Sequence, residues 1–485
     1  MYQSDERDRV PGSSCGDVRH VPHDGGAQSA RARGRSGAQG SPQATEPRPM
    51  MDLTARLRSI VRGPGAEPRE LRYEPDTGRY EATIDLDRVA SVLGGRVLEA
   101  AGGRALVVDR RYEGDRRHGD IHVADCEFED GESLRVLDPS LPAGGGDGSR
   151  ILFVDLETTG LSGGAGTIAF LVGCAWFDCG ALQVRQFLLT SYASERALLA
   201  AVAACVDGTA LLVTYNGKTF DVPVMETRWL FHRLPMPLDG VRHFDMLHPA
   251  RRLWRGRPGG QESDGSCRLS TLERVLFDVR RVGDVPGMDI PSRYFHFVRT
   301  GDAFPLEPVL EHNRLDLVSL AAVTAHGARL ASLGRAACRD GCEALALGRI
   351  FERAGDQEHA GDCYDRAASD AGAPLDVRAE ALSRIAVRHR RERRFAEAAA
   401  AWRQVLTVLD GGRGGRSALL AEWRRMAAEA LAIHHEHRER DYAGARELAL
   451  LALEDADGRR VAPARHRLSR LDRKLAGDNN SHLFG

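Results

Sequence analysis

Two acidic residues near the first third of this 485-residue chain have a spacing that suits metal chemistry. Asp155 and Glu157 end the apolar run ILFVDLE, which predicts a strand buried on both faces. Because residues i and i+2 of a strand point to one face, both carboxylates would lie on the same side. A divalent ion such as Mg²⁺ or Mn²⁺ would offset their repulsion. The pair alone is equally compatible with a strand that ends at the surface.

Two further acids and a histidine extend this pattern. Asp221 follows a predicted strand-to-helix turn in YNGKTFDVPV, where it could also be a helix N-cap. Asp316 lies in the apolar helix EHNRLDLVSL, where a partly exposed helix acid is the alternative. His312 is four residues before Asp316 and so shares its helix face. A histidine there can orient or deprotonate water, and a solvated surface histidine is the alternative.

Basic residues suggest contacts with phosphate. Only Lys218 and Lys474 are lysines in a chain with 67 lysines and arginines, so Lys218 stands out beside Asp221. It is a candidate phosphate contact or a plain surface lysine. The segment ARRLWRGR combines several arginines with Trp254, which would suit a single-stranded backbone and a stacked base. A solvated loop explains that segment equally well.

The elements that must position these residues form an α/β pattern. After ILFVDL, the runs TIAFLVGCAWFD and ALQVRQFLL predict strands joined by a turn at Cys179 and Gly180, and ALLVTYN and VRHFDML predict two more. Helices are predicted from Ser194, as N-cap, to Cys205, in DVPVMETRWLFHRL, and in STLERVLF with a Ser270/Glu273 capping box. A long helix carries Asp316. The sequence therefore predicts a mixed sheet flanked by helices.

The last third is predicted to be all helix and to contain repeats. Leu347, Gly348, Phe351, Ala360 and Tyr364 have the spacing of a tetratricopeptide helix pair, and related patterns recur twice downstream. The predicted organisation is a disordered leader at 1–50, an N-terminal helix with a small β-rich region at 51–149, the α/β domain at 150–328, tetratricopeptide-like repeats at 340–475 and a flexible tail at 476–485. Met50 or Met51 is a candidate for the true start.

Composition limits the class of protein. A net charge of −2 and 42% hydrophobic residues are ordinary for a soluble globular chain, so nucleic-acid contacts would need local basic patches. Nine irregularly spaced cysteines favour a reducing cytoplasm over a disulfide framework. No apolar run is expected to reach the length of a membrane span. These features predict a cytoplasmic protein without a membrane partner.

Taken together, the acids resemble the DEDD superfamily of 3′-5′ exonucleases, which has a ribonuclease H-like fold. Asp155 and Glu157 match its first motif, Asn216, Phe220 and Asp221 match its second, and Asp316 matches its last acid. The segments GLSGGAGTIAFLVG, YNGKTFDVP and IPSRYFHFVRTGD are similar to the YprB-type ribonuclease H-like domain of bacteria. Some members of that group carry tetratricopeptide repeats after this domain.

This resemblance implies two-metal hydrolysis of phosphodiester bonds at single-stranded DNA or RNA ends. Two Mg²⁺ or Mn²⁺ ions would be held by Asp155 as the bridging ligand, Glu157 and Asp316 on one ion, and Asp221 on the second. The family places a base as His five residues, or Tyr four residues, before the last Asp, whereas His312 combines the histidine with the tyrosine spacing. Implied substrate contacts are Thr158, Asn216, Lys218, Phe220 and Asn313.

Two other functions remain open from the sequence. One is a non-enzymatic adaptor, in which a degenerate nuclease fold binds nucleic acid and the repeats hold a protein partner. The other is an endonuclease with a ribonuclease H fold. Four converging acids argue against the adaptor, and the Asp-x-Glu motif with His312 and Asp316 favours the exonuclease.

Overall fold

The computed structural model describes residues 84–128, 131–144, 150–160, 166–255, 267–410 and 418–481, without the side chains of 477–481. The predicted disordered leader, the predicted helix from residue 51 and the candidate starts at Met50 and Met51 lie outside these residues. Residues 161–165 in the glycine-rich segment GLSGGAG and residues 256–266 also lie outside the described part.

Seven strands of the described residues form one mixed sheet in the order β1-β2-β7-β6-β5-β8-β9, and β3 and β4 form a separate hairpin. The sheet is antiparallel from β1 to β5, and β8 and β9 run parallel to β5. The strands are β1 Arg96–Ala100, β2 Gly103–Tyr112, β3 Arg117–His118, β4 Ile121–His122, β5 Arg150–Thr158, β6 Ala169–Asp178, β7 Ala181–Leu188, β8 Thr209–Thr214 and β9 Arg242–Asp245.

Among the described residues, eight α-helices accompany the sheet and seven form the C-terminal region. The first group is α1 Leu86–Leu93, α2 Leu134–Leu137, α3 Glu195–Val206, α4 Asp221–Phe231, α5 Leu247–Trp254, α6 Leu269–Phe277, α7 Ile290–Thr300 and α8 Glu307–Leu333. The second group is α9 Gly341–Ala354, α10 Gln357–Ser369, α11 Leu375–Arg391, α12 Phe395–Asp410, α13 Ala418–His434, α14 Tyr442–Glu454 and α15 Gly458–Ser481. The predicted mixed sheet flanked by helices is confirmed.

β5 is an inner strand of the sheet, between β6 and β8, and its side chains are apolar on both faces until the acids begin. Leu152, Val154 and Leu156 pack into the core on one face, and Phe153 packs into the core on the other. The latter core also contains Leu317 of α8. Strand alternation therefore turns the next residues on the Phe153 side, Asp155 and Glu157, toward α8.

The region before residue 150 is part of the same sheet. β1 and β2 form a hairpin, and β2 pairs with β7 over Leu106–Tyr112. The predicted boundary between 51–149 and 150–328 thus falls between strands of one sheet. At the other end, α15 continues to Ser481, inside the predicted tail.

One of the two predicted caps is confirmed and the other is wrong. Ser194 is the N-cap of α3, although its side chain makes no capping bond and instead donates to the carbonyl of Ser191 at 2.8 Å. α6 begins at Leu269 with Arg268 as its N-cap, so Ser270 and Glu273 do not form a capping box. Glu273 is instead 1% exposed and binds an arginine from outside the helix, as described below.

α8 is the longest helix among the described residues and is a core helix. With its flanking turns it spans Phe304–Ala337, which by length and hydropathy could cross a membrane, so the expectation of no such segment is wrong. However, 83% of the most apolar stretch of this segment is buried inside the molecule. The helix contacts β5, β6 and β7 and carries His312 and Asp316 near its N-terminal end.

The C-terminal helices pack on their neighbours in chain order. In the first pair, Gly348 of α9 faces Tyr364 of α10, because a Cβ at Gly348 would lie 2.6 Å from the tyrosine ring. Ala360 and Ala367 are buried at the same contact. A helical region is therefore present as predicted, and its assignment to tetratricopeptide repeats stays a prediction.

A buried carboxylate joins this region to the sheet domain. Glu343 of α9 has no exposed surface and accepts hydrogen bonds from Trp254 Nε1 at 2.7 Å and the Arg339 amide at 2.7 Å. His326 Nε2 lies 2.9 Å from the same carboxylate. Burial alone would raise the pKa of Glu343, but His326 and the other donors outweigh it and lower the pKa from 4.5 to about 2.

The depressed pKa predicts how stability depends on pH. Ionised Glu343 stabilises the fold above its unfolded pKa of 4.5, and this is lost as the pH falls toward 2. We expect Glu343→Gln to lower the free energy of unfolding by about 3 kcal/mol at pH 7 and by much less at pH 3. Urea denaturation at both pH values measures this, with Glu358→Gln on the exposed face of α10 as control. An equal loss at both pH values would contradict the assignment.

Candidate active site

The candidate site lies where the end of β5 meets the N-terminal part of α8. Asn313 of α8 donates from Nδ2 to Asp155 Oδ2 at 2.8 Å and to the Asp155 carbonyl at 3.2 Å. Asn313 has no exposed surface. Asn313 was predicted to contact substrate. In the structure its buried side chain instead holds Asp155 through these two hydrogen bonds.

A row of residues across three strands makes room for this asparagine. Asp155 pairs with Gly173 on β6, and Gly173 pairs with Gln186 on β7. Gln186 Nε2 donates to Asn313 Oδ1 at 2.7 Å, and Gln186 Oε1 accepts from Arg314 at 3.1 Å. Asn313 thus lies over Gly173 with a polar partner on each side. A Cβ at Gly173 would come within 2.2 Å of Asn313 Oδ1.

Asp221 is placed by the turn that leads from β8 into α4. Asp245, at the end of β9, accepts from the amide of Asn216 at 2.8 Å and from the amide of Lys218 at 3.0 Å. Asn216 has a φ of +69°, a left-handed conformation that asparagine tolerates. This fixed turn starts α4 at Asp221, which is 5% exposed.

The four carboxylates affect one another electrostatically. Burial raises the pKa of Asp155 well above its usual value, and the charges of Asp316, Glu157 and Asp221 raise it further. Burial and the charges of Asp316, Asp221 and Asp284 do the same for Glu157. Burial, with a contribution from Asp245, raises the pKa of Asp221 to about 7. The sheet and α8 therefore crowd these carboxyl groups together, and their charged forms are disfavoured unless a cation is present.

The surroundings of the four acids differ. Within the described parts of the chain, Asp155, Glu157 and Asp221 form no ion pair with a basic side chain, whereas Asp316 Oδ1 lies 2.5 Å from Arg281 Nη2. A divalent ion would satisfy the three unpaired carboxylates, since their oxygens are the donors that Mg²⁺ and Mn²⁺ prefer. The donor set therefore fits the predicted metals.

No three of the four acids bring ligand atoms within 4.8 Å of one another. The only described residues that bring three ligand atoms within 4.8 Å of one another are His435, Glu439 and Asp441, at the far end of the helical region. An open arrangement is compatible with two ions that share ligands. His435, Glu439 and Asp441 are outside this site.

His312 is held by a second acid. Its Nδ1 hydrogen-bonds to Asp284 Oδ1 at 2.6 Å, and its Nε2 lies 3.4 Å from Asp316 Oδ2. Because an ionised carboxylate only accepts, Nδ1–H is the donor. Burial acts to raise the pKa of Asp284, but the hydrogen bond and charge of His312 and the charge of Arg281 outweigh it and lower the pKa. The structure thus brings His312 and Asp316 together on one face of α8.

The side chains of two of the four remaining predicted substrate contacts bond to protein groups in the structure. Lys218 Nζ donates to Asp138 Oδ2 at 2.9 Å, and Thr158 Oγ1 donates to the Gly160 carbonyl at 2.9 Å. Asn216 is exposed and Phe220 is half-buried at the start of α4. Trp254 is 3% exposed and bonded to Glu343, so the predicted base stacking on it is wrong.

Several residues that build the site were missed in the sequence. Asp245 had a usable signal, because an acid that ends an apolar strand is unusual. Gly173, Gln186, Arg281 and Asp284 had none, since each resembles an ordinary strand or loop residue until its partner is known.

Comparison with known proteins agrees with this fold. Residues 152–327 match the family model RNase_H_2, described as RNase_H superfamily. The chain is 31% identical over 380 residues to the Bacillus subtilis (strain 168) protein titled "Uncharacterized protein YprB", covering 76% of this chain and 86% of that protein.

Among solved structures, the family B DNA polymerase from the hyperthermophilic archaeon Pyrobaculum calidifontis is similar, with a TM-score of 0.30 and 13% identity. The alignment covers 64% of this chain and 45% of the polymerase chain. A similarity at this level does not bear on the activity of the present chain.

The row through Gly173 generates a prediction. Alanine normally stabilises a strand relative to glycine. At position 173, however, its methyl group would push Asn313 away from Asp155. We expect Gly173→Ala to lower the free energy of unfolding in EDTA by about 1–3 kcal/mol and to weaken Mn²⁺ binding measured by calorimetry. Gly166→Ala, where the added Cβ meets nothing within 4 Å, is the control. Unchanged stability and Mn²⁺ affinity in Gly173→Ala would rule out this role for Asn313.

Proposed function

The chain belongs to the family of the Bacillus subtilis protein YprB, and from this premise and the geometry of its carboxylates we propose that it is a metal-dependent 3′-5′ exonuclease. The substrate class is single-stranded DNA or RNA. The RNase H superfamily domain at 152–327 supports a nuclease in general.

One observation carries the proposal: Asp155, Glu157 and Asp221 converge in a largely buried place without a basic partner among the described residues. Such a concentration of charge has no structural use, since apolar side chains would fill the same space at lower cost. Divalent ions held there would polarise the scissile phosphodiester and supply hydroxide at neutral pH. Asp155 would be shared by the ions, with Glu157 and Asp316 on one and Asp221 on the other.

The chain's own residues supply the proton chemistry. Because Nδ1–H of His312 is committed to Asp284, Nε2 is the nitrogen that can take a proton from an attacking water. Asp284 on one side and Asp316 on the other would stabilise the imidazolium that results. In this proposal His312 is the general base. It lies four residues before Asp316, the spacing at which some DEDD exonucleases have a tyrosine.

The helical region has a separate proposed role. A cavity of about 230 Å³ lies between α10, α11 and α13, and its lining includes Tyr364, Arg388, Trp423 and Met426. We propose that this tetratricopeptide-like surface holds a protein partner, and that the protein is cytoplasmic. The mixture of aromatic, apolar and basic side chains in the lining supports a peptide segment as the ligand.

The nuclease proposal predicts a simple product pattern. Purified full-length protein with Mn²⁺ or Mg²⁺ should convert 5′-labelled single-stranded oligonucleotides into a ladder of shorter labelled products, and EDTA should stop the reaction. Asp155→Ala should reduce cleavage to background, whereas Asp178→Ala at the exposed end of β6 should cleave normally. A single internal cut would identify an endonuclease. Binding without metal-dependent cleavage would identify an adaptor.

A further inference from the structure

The segment between α6 and α7, residues 278–289, contains two charged side chains that reach the candidate site. Arg281 is 7% exposed at its side chain and contacts three carboxylates. Its Nε and Nη2 lie 2.7 and 2.8 Å from the Glu273 carboxylate, and Nη2 also lies 2.5 Å from Asp316 Oδ1. Its Nη1 lies 3.3 Å from Asp284 Oδ2.

These contacts leave Arg281 little capacity to bind substrate. A guanidinium has five N–H donors in a fixed fork. Nε contributes one, Nη2 uses both of its donors on Glu273 and Asp316, and Nη1 uses one on Asp284. An arginine that binds phosphate presents its fork toward the ligand, whereas this fork points at three carboxylates of the protein itself. Arg281 is therefore suited to hold protein groups in place.

The anchor of Arg281 is itself fixed from three elements. Glu273 of α6 is 1% exposed and accepts a hydrogen bond from Ser319 Oγ of α8. His118 Nε2 of β3 lies 2.9 Å from the same hydroxyl. The position of the guanidinium is thus set by α6, β3 and the middle of α8.

The same segment also orients His312, the second functional side chain that α8 presents beside Asp316. Asp284 accepts from His312 Nδ1 at 2.6 Å, which turns His312 Nε2 toward Asp316. Arg281 and Asp284 also contact each other, so one loop determines the orientation of both the last acid and the histidine.

We propose that Arg281 and Asp284 are positioning residues: Arg281 holds Asp316 in place to bind metal, and Asp284 directs His312 Nε2 at the reacting water. This inference rests on the proposed nuclease function for its catalytic consequence. Its metal-binding consequence is independent of the reaction and can be measured without nucleic acid.

Arg281→Lys tests the first half of the proposal. Lysine keeps the positive charge but lacks the fork that joins three carboxylates. We expect calorimetry with Mn²⁺ alone to show an affinity loss of about 10- to 100-fold, the range typical of partners that orient metal ligands. We also expect kcat on the oligonucleotide to fall while KM stays within about twofold. Arg280→Lys is the matched control, because Arg280 is 77% exposed and, in the part of the chain that the structure describes, its one ion pair is with its neighbour Asp278.

The possible results separate the two claims. Arg281→Lys with a lower melting temperature but normal Mn²⁺ affinity and kcat would show a purely structural role and overturn the inference. If the wild-type protein binds Mn²⁺ but cleaves nothing, the proposed function fails, and the Mn²⁺ affinities of Arg281→Lys and Arg280→Lys still decide the role of Arg281.

A double-mutant cycle tests the second half. If Asp284 acts only by orienting His312, then Asp284→Ala and His312→Ala should each lower kcat by a similar factor, and the double variant should show no further loss. Asp289→Ala, which removes an exposed acid from the same segment, should retain wild-type kcat. Losses that multiply in the double variant would mean that Asp284 acts independently of His312, and this half of the proposal would be wrong.

Discussion

The constraint on which the candidate site depends is the repulsion between carboxylates that the fold places together. Asp155 and Glu157 cannot move apart, because strand alternation fixes both on the face of β5 that α8 covers. Asp221 and Asp316 enter from α4 and α8 and raise the pKa values of both acids. Apolar side chains at these positions would give a more stable fold than such a cluster of acids. Its presence supports the proposal that cations bind there during function.

The neighbouring structure can be understood as a way to contain this repulsion before metal binds. Asn313 neutralises part of the cost at Asp155 through a hydrogen bond, and it reaches Asp155 only because β6 has glycine at position 173. Arg281 does the equivalent at Asp316 with a full charge. Asp155 and Asp316 are thus held by a neutral amide and by a guanidinium. Glu157 and Asp221 have no basic partner among the described residues and remain open to an ion.

The sequence predicted the elements that depend on local pattern and missed the contacts that depend on tertiary structure. The strand at ILFVDL, the Cys179–Gly180 turn and the long helix with Asp316 follow from periodicity and turn chemistry, and the structure contains all three. Ser270 and Glu273 matched a capping box by spacing, yet Glu273 is committed to Arg281, eight residues away and beyond the end of the helix. No local rule encodes that choice, because the energy of a buried ion pair depends on a partner whose position is set by the whole fold.

The same reasoning explains why aromatic and basic residues misled the prediction more than acids did. Trp254 and the arginines around it had the composition of a loop that binds single-stranded nucleic acid. In the structure, Trp254 instead donates to the buried Glu343, which joins the sheet domain to the helical region. Acids on an apolar strand carry a large desolvation cost, so their presence is informative by itself. A tryptophan can pack in a core or lie at a surface, and an arginine can bury its aliphatic stem while its guanidinium stays in water, so neither residue type is informative by itself. Functional prediction from one sequence is therefore strongest at residues whose structural placement would be unfavourable without a ligand.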